Sequence, residues 1–275
     1  LDVNGEALTA RVQAGLNGAE CERLLDERGF TLGHFPQSIA LSTVGGWVST
    51  RASGQLSTRY GNIEDMVLAL EVVLAGGRVV RTFPAPRAAT GPDLRQLFLG
   101  AEGTLGVVTE VALKIAPKAA WKQGFAATLK SWDDGIAISR EVLQAGWRPA
   151  VLRLYDDIEA QRNFGTWVQT PAPLLLVMGE GTEAMAPALA IELDAARTAC
   201  TARGATLLGD EPLNHWLGRR NHVPSWDQLL AGGLVVDTIE VAATWDRVKP
   251  LHAAVTKAIS EVPGIIQASG HTSHG

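Results

Sequence analysis

The feature that most limits how this chain can fold is the run from Gly33 to Gly61. Glycine and short hydroxyl side chains there replace the regular apolar spacing of a helix or strand. Its centre reads Ser42-Thr43-Val44-Gly45-Gly46-Trp47-Val48-Ser49-Thr50-Arg51-Ala52-Ser53-Gly54. Without a Cβ the backbone can approach another group closely and keep its N–H available. Ser42, Thr43, Thr50 and Ser53 add short donors suited to phosphate, carbonyl or ring-nitrogen contacts. A second such stretch, Gly100-Ala101-Glu102-Gly103-Thr104-Leu105-Gly106, leads into an apolar strand. No Gly-Lys-Ser/Thr follows the glycines, and Gly-x-Gly-x-x-Gly between strand and helix is absent, so neither a Walker loop nor a Rossmann turn is indicated. Composition alone divides evenly between a ligand cradle and a set of glycine turns in a sandwich.

The flanking segments are easier to read. Residues 6–14 alternate as a strand, and Asn17-Gly18 precede a helix over 19–25 with acidic residues in its first turns. Residues 66–74 and 78–82 form two β-rich runs around Gly76-Gly77 and predict a hairpin. Pro92 to Leu99 suits a short helix, and Thr104 to Ile115 a long strand closed by Pro117. Beyond Pro117 strands and helices alternate. Strands are expected at 125–129, 150–154, 174–178, 234–242 and 265–269, with helices at 131–144, 184–203 and 246–259. An antiparallel sheet with helices is the simplest packing for this second unit. The expectation is an α+β protein with domains at 1–117 and 118–275.

Composition narrows the partners. A length of 275 residues suits two domains or one large α/β domain. A net charge of −5 and a pI near 5.7 argue against nucleic acid and anionic membranes, which need a concentrated basic face. No run approaches the ~20 apolar residues of a membrane span. Cys21 and Cys200 cannot form a disulfide framework or zinc cluster and read as small buried residues in a reducing compartment. The expected location is the cytoplasm. The chain starts Leu1-Asp2-Val3 and stops at His271-Thr272-Ser273-His274-Gly275, and both ends read as cut.

The string Ser42 to Gly54, then Tyr60-Gly61-Asn62-Ile63-Glu64-Asp65, then Glu102 to Glu110, resembles the FAD-binding domain of the vanillyl-alcohol oxidase/p-cresol methylhydroxylase flavoproteins. Within that superfamily it is similar to alkyldihydroxyacetonephosphate synthases and bacterial FAD-linked oxidases. The ordered motifs are strong over 1–117 and continue weakly through Asp237-Thr238-Ile239-Glu240 and Thr244-Trp245-Asp246. The resemblance implies the second half of a p-cresol methylhydroxylase-type FAD domain followed by an α+β cap. It implies FAD contacts from Gln37, Ser38, Ile39, Ala40, Leu41, Ser42 and Thr43, with Gly45 and Gly46. A second turn is Thr50, Arg51, Ala52, Ser53 and Gly54. A third is Glu102, Gly103, Thr104, Leu105, Gly106, Val107 and Val108. His34 lies outside the contacting loop, so FAD is expected to be noncovalent.

Three departures bear on activity. The family's Pro-x-Gly-Gly-Gly-Thr-Ser-type diphosphate loop would lie before residue 1, and its catalytic tyrosine and His-rich segment would lie after Gly275. The arginine that grips a substrate phosphate in the synthase falls at or near Trp226, which cannot make bidentate charge-assisted bonds. The resemblance thus implies an FAD-linked oxidoreductase acting at flavin N5 on a small alcohol, 2-hydroxy acid or glycerone-phosphate ester. The alternatives are the redox-neutral synthase proper and a non-catalytic fragment.

The resemblance implies that His271-x-x-His274 lies on a cap strand facing the flavin, with His271, His274 and Trp226 on the substrate side; the alternative for the histidine pair is plain surface. As a metal pair it lacks the Glu and third ligand of zinc hydrolases, so no metal is assigned. Arg51 divides between a flavin contact and a structural ion pair, and Glu64 reads as a surface cap or pair. A small-molecule substrate is the expected partner, with a homodimer left open.

Overall fold

A computed structural model describes residues 1–85, 88–222 and 225–272. The chain divides into two compact units, one comprising 1–122 and 180–186, the other 123–179 and 187 onward.

The first unit contains, in order, β1 (Asp2–Asn4), β2 (Thr9–Gln13), α1 (Gly18–Asp26), β3 (Phe30–Thr31), α2 (Val44–Thr50), α3 (Ser57–Tyr60) and α4 (Ile63–Met66). There follow β4 (Val67–Val73), β5 (Val79–Arg81), α5 (Arg95–Phe98), β6 (Val107–Lys114) and β7 (Ala116–Pro117). Its main sheet has the order β1-β2-β6-β4-β5, antiparallel throughout, and β3 pairs separately with β7. β2 alternates, so Ala10 and Val12 enter the core while Arg11 turns outward to pair with Glu110. Val67, Leu70 and Val72 of β4 meet Val111 and Leu113 of β6 in the same core as Cys21, Leu25, Val44, Trp47 and Val48. The hairpin around Gly76-Gly77 forms as expected, with Leu74 N–H donating to Arg78 O.

The second unit holds most of β8 (Trp121–Thr128), then α6 (Trp132–Gln144), β9 (Val151–Tyr155), α7 (Asp157–Phe164), β10 (Leu174–Gly181), α8 (Ala186–Ala202), β11 (Thr206–Leu208), α9 (Glu211–Arg219), α10 (Trp226–Ala231) and α11 (Val248–Ser260). Its sheet order is β11-β8-β10-β9. Every residue of β10 is buried, which explains its unbroken Leu-Leu-Leu-Val-Met run. Ser131 caps α6 as the sequence predicts, accepting from Asp134 N–H.

Two expected strands do not form. Residues 234–242 and 265–269 pair with no described strand, and Val235, Ile239 and Ile266 are exposed. An alternating pattern supplies one face of a strand, but a strand also needs a neighbour to take its backbone groups. The predicted strand over 104–115 starts later, at Val107, because Glu102 to Gly106 turns. Cys21 and Cys200 are both buried and unpaired. No helix among the described residues is long and apolar enough to cross a membrane.

Candidate functional site

The Gly33–Gly61 run is ordered by partners outside it. Asn17 caps α1, accepting from Ala19 N–H at 3.0 Å, and its amide donates to Ala40 O at 2.9 Å and Ser42 O at 3.3 Å. Gly18 and Ala19 N–H donate to Ser42 O and Ile39 O, so residues 37–43 lie against the start of α1. Ile39 is buried, while Gln37, Ser38, Ala40 and Leu41 face solvent. Thr43 then caps α2, its hydroxyl accepting from Gly46 N–H at 3.1 Å. At Gly45 a Cβ would stand 2.7 Å from Ala14 Cβ, so only glycine lets α2 lie this close to the chain leaving β2.

The other end of α2 gathers the remaining turns. Arg51 ends the helix in the left-handed region, φ 53°, and pairs with Glu64 at 3.1 Å. An ion pair is one of the two alternatives read from sequence for Arg51. Thr50 donates to Gly46 O, and Ala52 and Ser53 are half-buried. Gly100 and Glu102 N–H donate to Val48 O and Ser49 O, each at 3.0 Å. Glu102 also takes a positive φ, 48°. Two non-glycine residues held in this sparsely populated region, in turns joined by hydrogen bonds, are a feature that functional sites hold at a cost of order 1–3 kcal/mol each. Glu102, Gly103, Thr104, Leu105 and Val107 are exposed beside them, with Gly106 and Val108 partly covered. All three turns read from sequence therefore meet at the two ends of one seven-residue helix.

His34 belongs to this assembly although sequence reasoning sets it apart. It is fully buried, edge-on to Trp47 at 4.8 Å between ring centroids, and a Cβ on Gly54 would sit 3.0 Å from its Nδ1. Neither ring nitrogen has a partner among the described residues. Burial pushes its pKa down to about 4, so the ring is neutral at neutral pH. Nearby, Tyr60 donates to Glu180 at 2.7 Å, and Lys122 pairs with the other Glu180 oxygen at 3.1 Å. Burial first, and then the Glu180 charge, raise the Tyr60 phenol well above its ordinary range.

In the second unit His271 bridges to Tyr155, and its Nδ1 lies 3.0 and 2.9 Å from the two Glu159 carboxylate oxygens. Asp156 caps α7 through Glu159 N–H and also takes Gly270 N–H. Burial raises the Asp156 pKa, but His252 and these two N–H groups outweigh it and the net direction is down. His252 stacks on Trp132 at 4.2 Å. Trp226 opens α10 and is 62% exposed, and no hydrogen bond or ring contact among the described residues joins it to His271. His274 lies outside the described residues. Among them, no group of three or more His, Cys, Asp or Glu could hold a metal.

Residues 118–275 match the family of FAD linked oxidases, C-terminal domain, and residues 1–82 match the FAD binding domain. The chain belongs to the FAD-linked oxidases. It is a flavoprotein with the p-cresol methylhydroxylase-type α+β fold, and its cofactor is FAD. Alkyldihydroxyacetonephosphate synthase of Caenorhabditis elegans is 46% identical over 155 residues, 56% of this chain and 26% of that protein. The uncharacterised FAD-linked oxidoreductase YgcU of Escherichia coli (strain K12) is 34% identical over 289 aligned positions, 100% of this chain and 58% of that protein. A solved alkyldihydroxyacetonephosphate synthase superposes with TM-score 0.81 at 24% identity, covering 94% of this chain and 50% of that one. The chain spans between about a quarter and three-fifths of these proteins' lengths. The residues of the first unit fit the cofactor: a neutral buried imidazole without a partner and close-packed glycine turns suit a large polar ring system.

Proposed function

We propose that the first unit holds FAD noncovalently through residues 37–43, 45–46, 50–54 and 102–108, and that 118–275 is a cap carrying the substrate side. The protein is then an FAD-linked oxidoreductase acting on a small alcohol, 2-hydroxy acid or glycerone-phosphate ester. The observation that supports this best is the convergence of the three turns on α2, beside the unpartnered His34. When bound, the flavin supplies hydride acceptance at N5. The chain's own residues orient it: Thr43 and Asn17 fix the first turn, the Val48 and Ser49 carbonyls fix the third, and His34 offers a neutral donor–acceptor pair. His271 is the substrate-side group.

Trp226 stands where the synthase resemblance expects an arginine, and its exposed indole has no charge to offer a phosphate. That favours the oxidoreductase over the redox-neutral synthase, which is the second reading. Titrating FAD into the protein tests the cofactor site, with a bound, perturbed flavin spectrum as the expected result. Anaerobic bleaching of that flavin by glycolate or D-lactate supports the oxidoreductase. An unbleached flavin together with acyl-for-alkyl exchange on an acylated dihydroxyacetone phosphate would establish the synthase instead.

A further inference from the structure

The His271–Glu159 contact says more than that a histidine lies on the substrate side. A carboxylate only accepts hydrogen bonds, and both Glu159 oxygens lie within 3.0 Å of Nδ1, so Nδ1 carries the proton. In the neutral ring Nε2 is then bare, and among the described residues it has no hydrogen-bond partner. Both members are fixed by the same turn. Glu159 N–H donates to Asp156 Oδ1 at 2.8 Å, which holds the carboxylate on the first turn of α7. On the facing segment Asp156 N–H donates to Gly270 O at 2.9 Å, Gly270 N–H returns to Asp156 Oδ2, and Thr272 N–H donates to Leu154 O at 2.8 Å. The Glu159 side chain is 10% exposed and that of His271 32%, so the carboxylate is enclosed and the imidazole open.

We infer that Glu159 is a positioning residue that holds His271 in its Nδ1–H tautomer, presenting the Nε2 lone pair to the hydroxyl of a bound small alcohol or 2-hydroxy acid. The inference rests on His271 being the substrate-side group. The step it supports is a proton transfer alone: the ligand O–H bond breaks with its electron pair staying on oxygen, an Nε2–H bond forms, and nothing is oxidised. The imidazolium that results is balanced by the Glu159 carboxylate. The other groups around the ring do not supply that balance. The Tyr155 ring lies 5.4 Å away and its hydroxyl accepts from Arg153, Arg162 reaches Glu159 at 3.6 Å, Asn163 donates to Glu159 at 3.4 Å, and Asp156 faces His252.

Long-range proton–nitrogen correlation spectra of histidine-labelled, FAD-loaded protein test this. The expected wild-type signature is a protonated Nδ1 and a bare Nε2 for the neutral ring. Glu159→Gln keeps it, because the amide oxygen still accepts, whereas Glu159→Ala loses the Nδ1–H form. A wild-type ring protonated on Nε2, or an unchanged tautomer in Glu159→Ala, overturns the inference. Glycolate should move the Nε2 resonance and acetate should not, and equal responses overturn the hydroxyl role. Loss of the tautomer effect with FAD still bound sinks the pair alone, while failure of the flavin titration sinks the reading of the cofactor site instead.

Discussion

Lowering the pH should unfold this protein partly through one side chain. His34 is buried, neutral and unpartnered, with a pKa pushed from an ordinary 6.5 to about 4. Between those values the unfolded chain binds a proton at this residue and the folded chain does not, so stability rises with pH across the window and falls on acidification. From pH 7 to pH 4 the linkage removes about 3 kcal/mol. That is a large share of the roughly 5–15 kcal/mol by which a domain is stable. Other groups titrate in the same range, so the measurement is a difference. Urea unfolding of wild type and His34→Gln at pH 7, 6, 5 and 4, followed by circular dichroism, isolates the histidine, since glutamine does not titrate. Wild type should lose about 3 kcal/mol more than the variant by pH 4. Parallel curves would refute the argument, because they would mean that the ring takes up its proton as readily folded as unfolded. Below pH 4 the gap should stop widening and stay at about 3 kcal/mol, since both states then hold the proton and the slope vanishes.

The other expectations follow from packing and pairing. Gly45→Ala drives a Cβ to 2.7 Å from Ala14 Cβ and should cost about 1–3 kcal/mol in urea unfolding. Gly54→Ala presses on Phe35 N at 2.9 Å and His34 Nδ1 at 3.0 Å. If the turn holds the cofactor, FAD affinity by flavin fluorescence should fall about tenfold or more, equivalent to ~1.4 kcal/mol. Tyr60→Phe deletes a bond to the buried Glu180 carboxylate and should cost about 1.5–3 kcal/mol at neutral pH, with Lys122 still paired to it. Burial pushes the Cys21 and Cys200 thiols up to about 12 and 11, so a thiol reagent at pH 8 should label neither until denaturant is added.

What was legible in the chain follows from the range of the interactions that hold each part. The α1 start, the Gly76-Gly77 hairpin and the Ser131 cap depend on residues within a few positions of one another, and each forms where the sequence places it. α2 is the opposite case. Val-Gly-Gly-Trp-Val-Ser-Thr is poor helix material, with two glycines and two valines in seven residues, and its propensity argues against a helix. It forms because Thr43 caps it, Leu16 and Ala14 carbonyls take the N–H groups of Val44 and Gly45, and Trp47 and Val48 enter the core. Thr43 is local, but Ala14 and Leu16 lie about thirty residues upstream in the chain, beyond any local pattern. The converse failure at 234–242 has the same cause, since a good strand pattern forms nothing without a neighbour. The site shows both limits together. The three glycine turns could be named from their residues, but their meeting at α2, the placing of His34 against Gly54 and the pairing of Glu159 with a histidine 112 positions away are products of the fold. Local chemistry therefore marks which residues can contact a cofactor, while tertiary contacts decide which of them share one site.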